Sequence, residues 1–337
     1  MSTGLYYFID TIPDTNELRS RSIYDILSTA RYPDETIGKY VNGPILNKRD
    51  IWDKVGDYIS IKERQCVSDI RNDVYYTIRL DGRNFSKGVL PKLRKLGIIS
   101  SGYSLEFQNA MQFAQHQLFT SIPNAICSFT QSDEITILVG PSRINKNGKR
   151  TPLRNLGRFQ KYISHAASTV SSTFVISLQN NLVDRGEYNL LKSLFPVEFD
   201  ARIAQYDSFE AAMQLILWRS YDSAVNGISS GVHFKNLPNK TSLNHLNSTE
   251  KLRYLEENGL LDAMTNHQLY GTFMWTSYTT EEKLNDQGES YTRTHVTIEE
   301  KSFQLLKTMK SFMCNSENHL DNERFLNDRF NELIALE

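Results

Sequence analysis

The alternation of apolar and polar positions becomes regular near Val74. Val74, Tyr76, Ile78 and Leu80 alternate with Tyr75, Thr77 and Arg79, the period of a half-buried strand, and the strand runs out on Asp81-Gly82. Ser104 then has the character of a helix N-cap. Phe107, Ala110, Met111, Ala114 and Leu118 follow at helical spacing until Pro123-Asn124 closes the segment. Residues 125–131 and 135–139 predict a second and a third strand, joined by the tight polar tip Ser132-Asp133-Glu134. Leu156, Phe159, Ile163, Ala166, Ala167, Val170 and Phe174 make the apolar stripe of a long amphipathic helix. Residues 195–206 read as a fourth strand, and Asp207 with Glu210 as a capping box for a helix running through Trp218.

The order β-α-β-β-α-β predicts an α+β fold of the ferredoxin-like kind, in which the first and third strands lie side by side. Residues 73–235 would form this domain. Residues 1–72 form an extension with turn signals at Tyr32-Pro33 and Gly43-Pro44, to which no chemistry attaches. Residues 236–337 form a C-terminal region with helices, suited to RNA binding or oligomer contacts, in which Phe303, Leu305, Leu306, Met309 and Phe312 predict a docking helix.

Composition narrows the class. At 39% hydrophobic and 23% charged residues, the 337-residue chain is ordinary for a globular protein, and no apolar run approaches a membrane span. The first residues lack a basic segment followed by an apolar one, so a cytoplasmic protein is expected. Cys66, Cys127 and Cys314 form no CxxC pair, which leaves neither a zinc ribbon nor a disulfide framework. A formal net charge of -1 hides a local imbalance. Arg143, Lys146, Lys149, Arg150, Arg154, Arg158 and Lys161 are unopposed by any acid, as are Arg83, Lys87, Lys92, Arg94 and Lys95. Such runs are commonly solvated faces, but these two flank the acidic motifs.

If the first and third strands are neighbours, Asp81, Asp133 and Glu134 meet at one sheet end. Carboxylates so placed repel one another unless cations neutralise them. Magnesium suits them, being held by one or two carboxylates together with substrate phosphates, and two such ions serve phosphoryl or nucleotidyl transfer. Asp81 is expected to bridge both. Arg158, Lys161 and His165 share one helix face near an N-terminus, a candidate grip for a triphosphate or a plain solvated face. The backbone at Gly82, Arg83, Asn84 and Phe85 offers N–H groups to phosphate oxygens.

The motifs Arg79-Leu80-Asp81-Gly82-Arg83-Asn84-Phe85, Gln131-Ser132-Asp133-Glu134, Arg158-x-x-Lys161 with His165, Phe199-Asp200-x-Arg202 and Trp218-Arg219 occur in that order. Together they resemble the tRNA-histidine guanylyltransferase superfamily over roughly residues 76–222. The resemblance implies a polymerase-like palm domain working in the 3′-to-5′ direction. An RNA 5′ end is activated by a nucleoside triphosphate and then attacked by the 3′-hydroxyl of an incoming nucleotide. It further implies that Asp81, the Gly82 carbonyl and Asp133 ligate two Mg2+ ions with support from Glu134. Arg158 and Lys161 would grip a triphosphate, and Arg83, Asn84, Phe85 and Ser132 would belong to the nucleotide site. GTP, ATP and tRNA are the implied partners, and a homotetramer is the implied assembly, with Trp218 a candidate interface residue.

Where family members carry His-Ile-Asn-Asn after the Trp-Arg pair, this chain reads Ala224-Val225-Asn226-Gly227. Thr265-Asn266-His267 is the nearest counterpart of a later Lys-Asn-Glu segment. These departures favour the guanylyltransferase-like branch, with template-directed 5′-end addition or repair, over histidine-tRNA specificity. Two other readings compete: a palm-type cyclase or oligonucleotide synthetase, and a non-enzymatic RNA-recognition module using Tyr75, Tyr76 and Phe129 to stack bases.

Overall fold

The computed structural model describes residues 49–65, 69–234, 243, 245–284 and 290–302. The expected helix near residues 303–312 and the turn signals before residue 49 lie outside them. Helix α1 is Arg49–Gln65, followed by β1 (Tyr75–Gly82), α2 (Leu90–Lys95), α3 (Leu105–Ser121), β2 (Ala125–Gln131) and β3 (Glu134–Val139). Then come α4 (Phe159–Asp184), β4 (Phe199–Tyr206), α5 (Phe209–Phe234), α6 (Ser248–Glu257), α7 (Asn266–Tyr270), β5 (Thr272–Leu284) and β6 (Ser290–Lys301).

The strands form one sheet in the order β4-β1-β3-β2-β5-β6, every neighbouring pair antiparallel. Its first four strands are the α+β, ferredoxin-like arrangement expected from the sequence, with β1 beside β3. The alternation along β1 divides two cores. Tyr76, Ile78 and Leu80 pack with Ala110, Met111, Ala114 and Leu118 of α3 and with Ala166, Val170, Phe174 and Leu178 of α4. On the opposite face Phe129, Leu138, Ala204 and Tyr206 pack with Ile216 and Leu217 of α5 and with Ile59 of α1. Burying each such side chain contributes about 1.5–3 kcal/mol. Because helices cover both faces, Tyr76 and Phe129 are buried. A base-stacking surface of the RNA-recognition kind is therefore closed.

Several boundaries differ from the expectation. Helix α1 belongs to the body rather than to a separate extension ending at residue 72. Its Ile59 sits in the core, and a Cβ on its Gly56 would lie 2.7 Å from the Trp218 ring. Trp218 is thus covered by its own chain, which removes it as an open interface residue. The C-terminal region adds two strands to the sheet rather than helices alone. Leu156 leaves the α4 stripe: Asn155 and Leu156 adopt φ of 53° and 57°, and Leu156 is exposed. The cause is Gly157, whose carbonyl accepts the Ile70 N–H at 2.8 Å, in an approach too close for any Cβ. Ser208, not Asp207, caps α5, its hydroxyl accepting the Ala211 N–H at 3.2 Å, while Asp207 pairs with Arg71. The helix also continues past Trp218. Gly227 lets it lie against α7, where a Cβ would meet the Gln268 carbonyl oxygen at 2.4 Å.

Candidate active site

The site lies where β1 ends and β3 begins. In the ladder Asp81 stands opposite Glu134 on one side and Asp200 on the other, and Arg79 stands opposite Thr136 and Arg202. Residues two apart on a strand share a face, so this row of acids sits next to a row holding two arginines, on the side covered by α5. Arg202 lies 3.3 Å from Asp200 and 4.0 Å from Asp81. Asp133 occupies the hairpin tip. Ser132 there takes a left-handed φ of 52° and donates its hydroxyl to Asp133 Oδ1 at 2.9 Å. The Gly82 N–H donates to the Asp133 carbonyl at 3.0 Å, which ties the tip to the end of β1.

From α5, Arg219 pairs with Glu134 and, at 3.1 Å, with Asp222. Gln131 donates to the carbonyls of Ser223 at 2.9 Å and Gln268 at 3.1 Å, fastening the end of β2 to α5 and α7. Burial pushes the Glu134 carboxyl up to about 7, against the pull of Arg219 and Arg79, and the charges on Asp81 and Asp133 push the same way. Burial likewise raises Asp133, with the Ser132 hydrogen bond opposing it. The group is short of positive charge.

A cavity of about 670 Å³ opens beside these acids. It is lined by Ser132, Asp133, Glu134, Arg219, Asp222 and Asn226, with Tyr103, Phe107 and Gln108 of the α3 region among the other walls. Among the described residues no three acidic, histidine or cysteine side chains converge as a closed metal cage. Magnesium does not require one, since it keeps waters and substrate oxygens on most of its positions. Hard carboxylate oxygens whose ionised forms are held back by burial and by one another fit such a cation. Glu134, engaged by Arg219, fits a supporting position better than a ligating one.

The other expected residues divide. Gly82 is required by sterics, because a Cβ would come within 2.3 Å of the Phe85 ring. Phe85 does not line the cavity: it is buried against Phe107, Phe174 and Phe199 at centroid distances of 6.1, 5.6 and 5.0 Å. Arg83 is exposed and pairs with Glu198 at 2.9 Å. Asn84, at φ 58°, accepts the Gly88 and Val89 N–H groups on its carbonyl. Arg158 and Lys161, exposed on α4 near His165, lie at the opposite end of the sheet from Asp81. The chain must run the length of β3 and the basic loop before α4 begins, and Gly157 is bonded to Ile70, which precedes β1. Eight residues of β1 put about 25 Å between the two ends.

Sequence reasoning missed Glu63, Asp222 and Lys251. Arg79 makes two bonds of 2.7 and 2.6 Å to Glu63 of α1, a pair almost wholly removed from water, and its guanidinium also faces the Trp218 ring at 5.9 Å. No motif marks Glu63; only its place on an amphipathic helix ahead of an arginine-bearing strand gives any signal. His267, in the cavity wall, is buried with Nδ1 2.6 Å from Thr272 Oγ1. Burial lowers it from 6.5 to about 4. Its folded value lies below the unfolded one, so its share of stability is full above about pH 6.5 and is lost as pH falls towards 4. The loss is on the order of 3 kcal/mol. Urea titrations of His267→Gln between pH 7 and 4.5 are expected to show a correspondingly flatter decline than the parent; parallel declines would refute this.

The family model for tRNAHis guanylyltransferase matches residues 58–207. A protein of Bos taurus named "Probable tRNA(His) guanylyltransferase" is 25% identical over 226 residues, 65% of this chain and 67% of that one. A Homo sapiens protein of the same name is 24% identical over 199 residues, 59% of this chain and 58% of that one, so the chain spans little more than half of it. Among solved structures, a bacterial tRNA(His) guanylyltransferase-like protein in complex with ATP shares the fold. Its TM-score is 0.50 at 21% identity, over 66% of this chain and 88% of that one. No described helix is long and apolar enough to cross a membrane. With the paired motifs now seen to meet at one sheet end, residues 58–207 place the chain in the tRNAHis guanylyltransferase superfamily, a family of nucleotidyltransferases.

Proposed function

We propose that the protein is a magnesium-dependent 3′-5′ nucleotidyltransferase that adds nucleotides to the 5′ end of tRNA or a related RNA after the end is activated by ATP or GTP. The observation that carries this reading is the meeting of Asp81 and Asp133 at the mouth of a nucleotide-sized cavity, where burial and mutual repulsion call for cations. Asp81, the Gly82 carbonyl and Asp133 would hold two magnesium ions, with Glu134 behind them. When bound, these supply a Lewis acid for phosphate oxygens and lower the pKa of the attacking hydroxyl.

The chain's own residues do the rest. Arg219 fixes Glu134 and Asp222 in place, the Gly82–Asp133 bond sets the spacing of the two strand ends, and the walls from Tyr103 to Gln108 enclose the nucleoside. Arg158 and Lys161 act at a phosphate held away from Asp81. A cytoplasmic setting and assembly into a tetramer belong to the same reading, by family resemblance.

The test is incubation of the full chain with a labelled nucleoside triphosphate and a 5′-truncated RNA, with and without magnesium. Label at the RNA 5′ end only when magnesium is present is the expected result. A cyclic or short oligonucleotide formed without RNA would replace this reading with a signalling-nucleotide synthetase.

A further inference from the structure

The cavity continues well past the carboxylates. From Asp222, held by Arg219 and by the Asn226 amide at 3.1 Å, α5 leads to Ser229 and Ser230 along the same wall. Asp222 and Ser229 are seven residues apart, two helical turns on one face, which separates them by about 10 Å. At that remove the lining changes sign. Lys251 of α6 reaches the cavity with its ammonium 3.4 Å from Ser229 Oγ, and Arg94 of α2, which donates to the Gly102 carbonyl at 3.1 Å, belongs to the same lining. One part of the cavity is therefore acidic and the other presents two cations with two hydroxyls.

The separation decides what the basic part can hold. The phosphates of one triphosphate are contiguous and are drawn to the cation-loaded carboxylates. An anion site two helical turns away matches instead a second, independent phosphate, and a polynucleotide strand carries phosphates spaced along its length. We propose that Ser229, Ser230 and Lys251, with Arg94 in the same lining, form a subsite for a backbone phosphate of the RNA strand whose 5′ end reacts at Asp81 and Asp133. The inference rests on the proposed 5′-end addition and names the group that positions the acceptor. Lys251 is a positioning residue and touches no reacting atom.

The experiment compares Lys251→Ala, Lys251→Arg and Ser229→Ala with the parent chain. It measures RNA binding by fluorescence anisotropy over a series of salt concentrations, and incorporation kinetics with RNA and nucleoside triphosphate varied separately. Lys251→Ala is expected to weaken RNA binding and raise the KM for RNA about tenfold, to leave the KM for the triphosphate unchanged, and to flatten the salt dependence by about 0.7 in log-log slope, one counterion on a single strand. Lys251→Arg should restore most of the RNA affinity, which a merely structural role for the lysine would not predict. A raised KM for the triphosphate with RNA binding intact would overturn the proposal in favour of a second nucleotide site, and no change in either would overturn it outright. Because the parent is assayed alongside, a parent chain that incorporates no label marks failure of the function itself, whereas an active parent with an indifferent Lys251→Ala marks failure of the subsite alone.

Discussion

Asp133→Asn is expected to abolish most nucleotide incorporation, by about a thousandfold, while leaving the fold as stable as before or more so. The two effects have one origin. The Asp133 carboxyl sits at a hairpin tip where burial raises its pKa, so its ionised form is a burden that the folded chain carries until a cation arrives. Asparagine keeps the volume and the hydrogen bond with Ser132 but removes the charge that would hold the cation. Loss of one preorganised electrostatic partner in an active site typically costs 10²–10³ in rate. Stability moves the other way.

The same linkage acts through Glu134, whose folded value of about 7 lies above the ordinary 4.5. Its ionisation leaves the fold undisturbed below about pH 4.5 and costs stability as pH rises towards 7. Magnesium should therefore raise the thermal midpoint of the parent chain more at pH 8 than at pH 5, and that difference should shrink in Asp133→Asn. A variant that keeps full incorporation with magnesium, or that unfolds well below the parent, would remove Asp133 from the metal site.

The chemistry was legible because it depends on strand order. Once the alternation in residues 74–80 and the hairpin at Ser132-Asp133 were read, β1 had to lie beside β3, and Asp81 had to face Glu134. What escaped were features set by tertiary contact. Phe85 looks like a nucleotide-site residue from its motif, yet four aromatic rings from four segments bury it, and only the missing Cβ of Gly82 lets it turn inward. Arg158 and Lys161 share the helix face they were expected to share. Chain direction nevertheless puts them at the wrong end of the sheet for Asp81, a consequence of antiparallel connection that periodicity alone does not carry. The β5–β6 hairpin had a readable signal in the β-branched and aromatic run from Thr272 to Thr280, obscured by the acidic composition that follows. Lys251 and Glu63 carry no motif at all, because their partners lie on elements distant in sequence.

Glu63→Ala should destabilise the protein by about 3–5 kcal/mol, a large part of the 5–15 kcal/mol typical of a whole domain. The alanine leaves Arg79 buried without its carboxylate, with only the Trp218 ring and the neighbouring acids to answer its charge. Arg79→Ala strands Glu63 in the same way. The double replacement Glu63→Leu with Arg79→Met exchanges the pair for apolar groups of similar size and should recover most of the lost stability. Activity should not recover with it. Arg79 also draws the Glu134 carboxyl downward, so without that guanidinium Glu134 ionises less readily beside the metal ligands and magnesium must be supplied at higher concentration for the same rate. Urea midpoints for the two singles and the double, set beside magnesium titrations of incorporation, separate the two roles. Single variants within 1 kcal/mol of the parent would show that α1 does not brace the catalytic strand. A double variant with the parent's magnesium requirement would show that the brace is mechanical only.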